Sequence, residues 1–262
     1  MTGTEDFAVD LPGGGRMPLL GFGTWQLRGD EARQAVVWAL EAGYRHVDTA
    51  TMYRNEREVG AAVADAGLPR DQVFVTTKLP PEHADAPRRT LERSLELLGL
   101  DQVDLWLVHW PPGGRARPDT WEAFVQAQQD GLARDVGVSN YSIEQVDELT
   151  KTTGVTPAVD QVEWGPTLHD KAFLDDCHVR GVALEGYSPF RSGDLSDPVL
   201  TGIAGRHGVT PAQVVVRWHL QHGVTVIPRS SRRDRIRSNA DVAGFALDDD
   251  EMAAVDGMSS VG

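Results

Sequence analysis

The sequence predicts an α/β protein: a single (β/α)8 barrel, of the TIM-barrel type, preceded by a small β-hairpin. Three observations lead there. The chain has 262 residues, and one such barrel typically takes about 250. Short, near-continuously apolar runs, as expected of parallel strands covered on both faces, alternate with amphipathic segments of helical period. The apolar runs number eight, the count that lets a parallel sheet close on itself. No Pro/Ser-rich linker or low-complexity tract interrupts the alternation, so residues 1–262 are expected to form one domain.

The hairpin is expected at 7–9 and 16–18, around the turn Gly13, Gly14 and Gly15. Strands are expected at 19–21, 46–48, 73–77, 103–108, 135–138, 158–161, 182–185 and 224–227. The first helix should span 31–42, with Asp30 as its N-cap and Gly43 just past its end. Further helices are expected at 56–66, 87–98, 118–130, 143–152, 171–180 and 211–221, with shorter ones at 232–239 and 248–256.

The formal net charge of −14 opposes binding to nucleic acid or anionic lipid, so neither is an expected partner. An anionic ligand would need a local cluster of positive side chains. Cys177 is the only cysteine, so no internal disulfide forms, in keeping with a reducing compartment. The N-terminus carries Glu5 and Asp6 rather than a basic-then-apolar signal, and no apolar run approaches the ~20 residues of a membrane span. The protein is therefore expected to be cytoplasmic, and a monomer is compatible with the sequence.

In barrels of this kind the active site lies at the C-terminal ends of the strands. Thr24 and Trp25 follow the first expected strand, and Asp48 ends the second, with Tyr53 in the loop beyond it. Lys78 follows the third, His109 the fourth, Ser139 and Asn140 the fifth; Gln161 ends the sixth, Tyr187 follows the seventh, and Arg229 and Ser230 the eighth. Chance would scatter such residues between both ends of the barrel.

Asp48, Tyr53, Lys78 and His109 suit carbonyl reduction. That reaction needs a hydride at carbon, which no side chain can give, and a proton at oxygen. A tyrosine can give the proton, but its ordinary pKa of ~10 is high for the task. A neighbouring ammonium lowers that pKa, a carboxylate holds the ammonium in place, and a histidine orients the oxygen or assists proton transfer. Each residue has an ordinary alternative: a helix cap for Asp48, a rim aromatic for Tyr53, a solvated charge for Lys78, a buried hydrogen-bonded ring for His109. All four being ordinary on one rim is the harder supposition.

The segments GFGTW (21–25), HVDTA (46–50), MYRNE (52–56), TKL (77–79), LVHWP (107–111), GVSN (137–140), DQVE (160–163), GYSP (186–189) and IPRS (227–230) together resemble the aldo-keto reductases, in the short-looped bacterial branch similar to diketogluconate reductases. The resemblance implies NADPH-linked reduction of a small carbonyl compound, with Tyr53 as general acid supported by Asp48, Lys78 and His109. It implies that Ser139, Asn140 and Gln161 hydrogen-bond the nicotinamide carboxamide and that Tyr187 stacks on its ring. It places Thr24 and Asp48 near the ribose, and the 188–192 segment, with Ser188, Phe190 and Ser192, near the pyrophosphate. The common dinucleotide fingerprint is absent, since Gly21 and Gly23 lack its third glycine and its later acidic residue.

Arg229, Arg232, Arg233, Arg235 and Arg237 gather in an otherwise acidic chain. The functional explanation is a clamp for the 2′-phosphate of NADPH; the ordinary one is a solvated basic helix face. Arg235 and Asn239 match the family pattern Arg-Ile-x-x-Asn, and Ser230 belongs to the same loop. Arg229 stands where the family usually has lysine and Ser238 where it often has glutamate, which leaves NADH open as a weaker alternative to NADPH. Asp160 and Gly165 also depart from a frequent Asn and His.

Trp25, Tyr53, His109, Trp110 and also Trp164 are expected to line the mouth, whereas Trp38, Trp106, Trp121 and Trp218 should pack in the core. Short loops at 111–118 and 190–197 predict an open, weakly selective pocket. His219 and His222 have a spacing that permits metal binding, but no third ligand is evident, and no metal is expected. Cys177 reads as a packed thiol. Two other functions compete: a barrel that binds NADPH as a sensor with little turnover, and a phosphate-sugar barrel, which leaves Tyr187 and Gln161 unexplained.

Overall fold

The computed structural model describes residues 7–191 and 193–258; Glu5, Asp6 and the candidate cofactor residue Ser192 lie outside the described residues. A hairpin of β1 (Ala8–Asp10) and β2 (Arg16–Pro18) opens the chain. Eight parallel strands follow, each hydrogen-bonded to the next in chain order: β3 (Phe22–Gly23), β4 (His46–Asp48), β5 (Phe74–Leu79), β6 (Val103–Val108), β7 (Ala133–Ser139), β8 (Val159–Glu163), β9 (Ala183–Tyr187) and β10 (Thr225–Val226). The sheet curls until its two ends meet. Leu20 pairs with Val226, Gly21 donates its N–H to Val226 O (2.9 Å), and Val226 N donates to Leu19 O (2.7 Å).

This seam corrects the expected first strand. Residues 19–21 bond to β10, while β4 pairs with Phe22 and Gly23, so the two edges of this segment are used one after the other. The seam also requires glycine. A Cβ at Gly23 would sit 2.8 Å from Ile227 O.

Helices α1 (Gly29–Glu41), α2 (Glu56–Asp65), α3 (Pro87–Leu98), α4 (Pro118–Gln129), α5 (Ile143–Thr153), α6 (Lys171–Val179), α7 (Pro198–His207), α8 (Pro211–Gln221), α9 (Arg233–Ala240) and α10 (Asp249–Asp256) complete the described residues. Asp30 is not an N-cap: Arg28 holds that position without a capping side chain, and Asp30 and Glu31 sit in the first turn, where carboxylates favour the positive helix end. Helix α7 was not expected. Its start signals, Asp197 and Pro198, are present, but Gly202 and Gly205 inside it lower its helical propensity and disguise it as loop.

All six residues of β5 and of β6 are buried, which is why these strands carry no polar alternation. Outside the barrel wall, Trp106 stacks on Phe124 (3.6 Å between centroids), joining β6 to α4. Trp121 and Trp218 are fully buried as expected, whereas Trp38 is only partly buried. The hairpin plugs the N-terminal end of the barrel: Leu11 and Met17 pack with Phe74, Leu105, Leu107, Ala158 and Val159. Asp135, within β7, accepts N–H bonds from Gly13 (2.6 Å) and Gly15 (3.0 Å). A Cβ at Gly13 would lie 2.2 Å from Arg134 O, so only glycine permits this approach.

Candidate active site

At the C-terminal ends of the strands lies a pocket of about 650 Å³, lined among others by Trp25, Asp48, Tyr53, His109, Trp110, Asn140, Gln161 and Tyr187. At its base, the Lys78 ammonium on β5 donates to both oxygens of Asp48 on β4 (2.6 Å each) and to Thr49 O (2.9 Å). Gln161 Nε2 on β8 donates to Asp48 Oδ2 (2.9 Å). Lys78 Nζ stands 5.0 Å from the centroid of the Tyr53 ring, and the ring of His109 meets Tyr53 edge-on with 5.6 Å between centroids. All four expected chemical residues are therefore together, and all are buried.

Tyr53 ends a short 3-10 turn (Thr51–Tyr53) that the chain leaves through Arg54 in the left-handed region (φ 55°). Thr51 Oγ1 donates to Lys78 O (2.9 Å). Buried Asn55 ties the turn to the neighbouring loop: its amide donates to Thr24 O (2.9 Å) and Leu27 O (3.1 Å) and accepts from Thr49 Oγ1 (2.7 Å). The sequence offered Asn55 only as part of a motif; its positioning role needs the fold.

Burial lifts the Tyr53 hydroxyl above the ordinary tyrosine range; Lys78 pulls it down and Asp48 pushes it up. Lys78 thus acts in the expected direction but does not overcome burial. Burial also lifts the Asp48 carboxyl, against the pull of Lys78. Burial alone would depress Lys78, yet Asp48 and Tyr53 carry it above the usual lysine value. Burial, with the Lys78 charge adding to it, pushes His109 down to about 3, so its imidazole is neutral. His109 Nδ1 is buried without a hydrogen-bond partner.

The second wall is a chain of polar contacts. Ser139 Oγ donates to Gln161 O (2.7 Å), and Asn140 Nδ2 donates to Ser139 Oγ (2.9 Å) and His109 O (3.2 Å). Tyr187 OH donates to Asn140 Oδ1 (2.9 Å). Asn140 and Ser188 both adopt positive φ (63° and 56°). Asn140, Gln161, Tyr187, Ser188, Phe190 and Arg229 face the pocket, as does Arg191 of the expected 188–192 segment, together with Gln26, Met52 and Glu163, which sequence reasoning missed. Ser139 and Thr24 lie behind the wall, and Thr24 Oγ1 is engaged with Asp48 O (2.9 Å).

Ser230, Arg235 and Asn239 do not line this pocket; Asn239 is buried and Arg235 exposed on α9. Part of the arginine cluster is neutralised, since Arg232 pairs with Asp234 (2.8 Å) and Arg233 with Glu41 (3.0 Å). Trp25, Met52 and Trp110 are unusually exposed large apolar side chains at 45%, 41% and 45%, and all three are on the pocket rim. Trp164 is a correction: it is buried, packed edge-on against His169, and absent from the pocket lining.

Beneath Asp48 and Lys78 the interior holds a further acid, Glu185 on β9. Its carboxyl is fully buried, Gln161 is beside it, and His46 Nε2 lies 3.8 Å from Oε1. Burial, with the Asp48 charge adding to it, pushes Glu185 up to about 8. Asp160 on β8 is similarly buried, and burial pushes it up to about 7 against the backbone N–H groups of Tyr141 and Asn140.

A closed parallel barrel with its pocket at the carboxyl ends of the strands is the architecture of a barrel enzyme. Residues 19–260 match the profile of the aldo/keto reductase family, and the chain belongs to that family. It is 40% identical over 255 residues to glyoxal reductase of Bacillus subtilis, covering 96% of this chain and 92% of that one. An aldo/keto reductase structure from Brucella melitensis superposes with a TM-score of 0.93 at 38% identity, over 96% of this chain and 97% of the other. A Bombyx mori aldo-keto reductase in complex with NADP does so with a TM-score of 0.89 at 34% identity, over 96% and 92%. Among the described residues, no helix is long and apolar enough to cross a membrane.

Proposed function

We propose that this protein is an NADPH-dependent reductase that converts small aldehydes and ketones to alcohols, with Tyr53 as the proton donor. The observation that carries this is the Lys78 ammonium, held by Asp48 on one side and standing 5.0 Å from the Tyr53 ring on the other. A nicotinamide cofactor, when bound, would supply the hydride that no side chain can give. The residues present suit such a cofactor: the pocket is large, the Tyr187 ring and the amides of Asn140 and Gln161 form one wall, and Arg229 stands at its edge. NADP in the Bombyx mori relative and the arginines on α9 favour the phosphorylated cofactor over NADH.

Tyr53, raised by burial, keeps its proton at rest. When the carbonyl oxygen gains negative charge, Tyr53 passes its proton to it, and the Lys78 charge stabilises the phenolate that remains. His109 is neutral and so is a poor acid; it orients the carbonyl oxygen beside Tyr53. Asp48 fixes Lys78 and keeps it charged. The apolar rim of Trp25, Met52 and Trp110 favours aromatic or aliphatic carbonyl compounds. The enzyme would work as a single domain in the cytoplasm.

The test is NADPH oxidation followed with a panel of 2-oxoaldehydes, aromatic aldehydes and ketones. Turnover with at least one class is expected. Tight NADPH binding with no turnover on any class would instead mark a cofactor-binding sensor.

A further inference from the structure

The chain carries a second constellation of ligating side chains outside the pocket. His169 follows the turn after β8, His222 caps the C-terminus of α8, and Asp256 is the last residue of α10. One ligand atom from each lies within 4.8 Å of the others, and none of the three lines the central pocket. We infer that His169, His222 and Asp256 form a binding site for a divalent transition-metal ion of the zinc class, which staples the C-terminal helix to the barrel.

The chemistry of the set favours such an ion. Two imidazoles and one carboxylate suit zinc and its first-row neighbours, whereas magnesium and calcium prefer all-oxygen sites. Ligands 2.0–2.1 Å from a tetrahedral ion stand about 3.3 Å apart. His169 Nδ1 is 3.6 Å from Asp256 Oδ1, and His222 Nε2 is 2.8 Å from the same oxygen. The second pair is already hydrogen-bonded, so the ion would replace that bond and spread the two groups by about half an ångström. Three protein ligands leave a fourth position for water.

The surroundings hold these ligands in place. Trp218 Nε1 donates to Asp256 Oδ1 (2.7 Å), an outer contact that fixes the carboxylate. The Trp218 indole meets both His169 and His222 edge-on, at 5.4 and 4.9 Å between centroids. His169 is nearly buried, while His222 and Asp256 keep partial access, which provides an entry route. The sequence spacing of His219 and His222 permits metal binding, and no metal was expected from it; His219 turns inward, and its Nδ1 bonds Val215 O (2.8 Å). The partners of His222 come instead from segments 53 and 34 positions away in the sequence.

The test uses the full chain without a histidine tag, stripped with a chelator and titrated with Zn²⁺ by calorimetry, with thermal melts in parallel. Wild type should take up one equivalent and melt at a higher temperature with zinc. His169→Ala and His222→Gln should each weaken that uptake by at least about tenfold. Co²⁺ bound to the wild type should show the intense visible absorption of a tetrahedral site, a readout that needs no variant. Zinc uptake unchanged in both variants, or wild type with neither stoichiometric uptake nor that absorption, would overturn the site and leave the cluster as a hydrogen-bonded clamp.

Discussion

The Lys78 ammonium lies 2.6 Å from each oxygen of the Asp48 carboxylate, and both groups are buried. Removing either partner leaves a charge without water or counter-charge, which typically costs about 3–5 kcal/mol. Lys78→Met and Asp48→Asn should each destabilise the fold, and the double variant should lose much less than the sum. Denaturant unfolding of the four proteins checks this. Additive losses would mean that the pair is not an ion pair in solution. Lys78→Met should also lift Tyr53 further above its ordinary range, because the largest opposing influence is gone. A pH–rate profile identical to wild type would remove Lys78 from the proton-transfer group.

Glu185 makes the fold sensitive to alkali. Its pKa is raised from 4.5 to about 8, so the folded state holds a proton that the unfolded chain has lost. Stability should therefore fall as pH rises from about 4.5 to about 8, by on the order of a few kcal/mol. Asp160, raised to about 7, acts in the same sense. The groups around Glu185 are His46, Asp48, Lys78 and Gln161; burial pushes His46 down to about 3, so it does not supply a compensating charge. Glu185→Gln should flatten this dependence and leave the variant more stable than wild type at pH ~9. Parallel stability curves for the two proteins would show that Glu185 ionises normally.

The barrel was legible in the sequence because each strand is a short apolar run bounded by turn residues. Asp48, Tyr53, Lys78 and His109 were legible because strand ends place them on one rim. Three things were not. The seam at 19–21 depends on pairing with Val226, more than two hundred residues away. Helix α7 contains two glycines that argue locally against a helix. Glu185 and Trp164 sit among apolar strand residues and rim motifs, and only the direction each side chain points separates interior from mouth. The arginine cluster was visible as charge, but Glu41, which neutralises Arg233, belongs to the distant α1.

On the proposed function, the preference for NADPH over NADH would come from Arg229 and Arg235. NADPH differs from NADH by the 2′-phosphate, and losing a hydrogen bond to such a group costs about 1.5–3 kcal/mol, or roughly 10- to 150-fold in affinity. Arg235→Ala should weaken NADPH by that amount with little effect on NADH, and Arg229→Ala should act in the same direction. Fluorescence titration of both cofactors decides the matter. Equal losses for the two would mean that these side chains support the loop instead of reading the phosphate.

In the proposed mechanism Tyr53 gives the proton. Tyr53→Phe keeps the buried ring that packs against His109 and removes only the hydroxyl. The decisive measurement is the steady-state rate of NADPH-dependent reduction of the best aldehyde substrate by this variant, together with its NADPH affinity. Turnover should fall by at least ~100-fold while NADPH binds as in wild type. Turnover near the wild-type rate, with folding and cofactor binding intact, would contradict the assignment and move the proton donor elsewhere in the pocket.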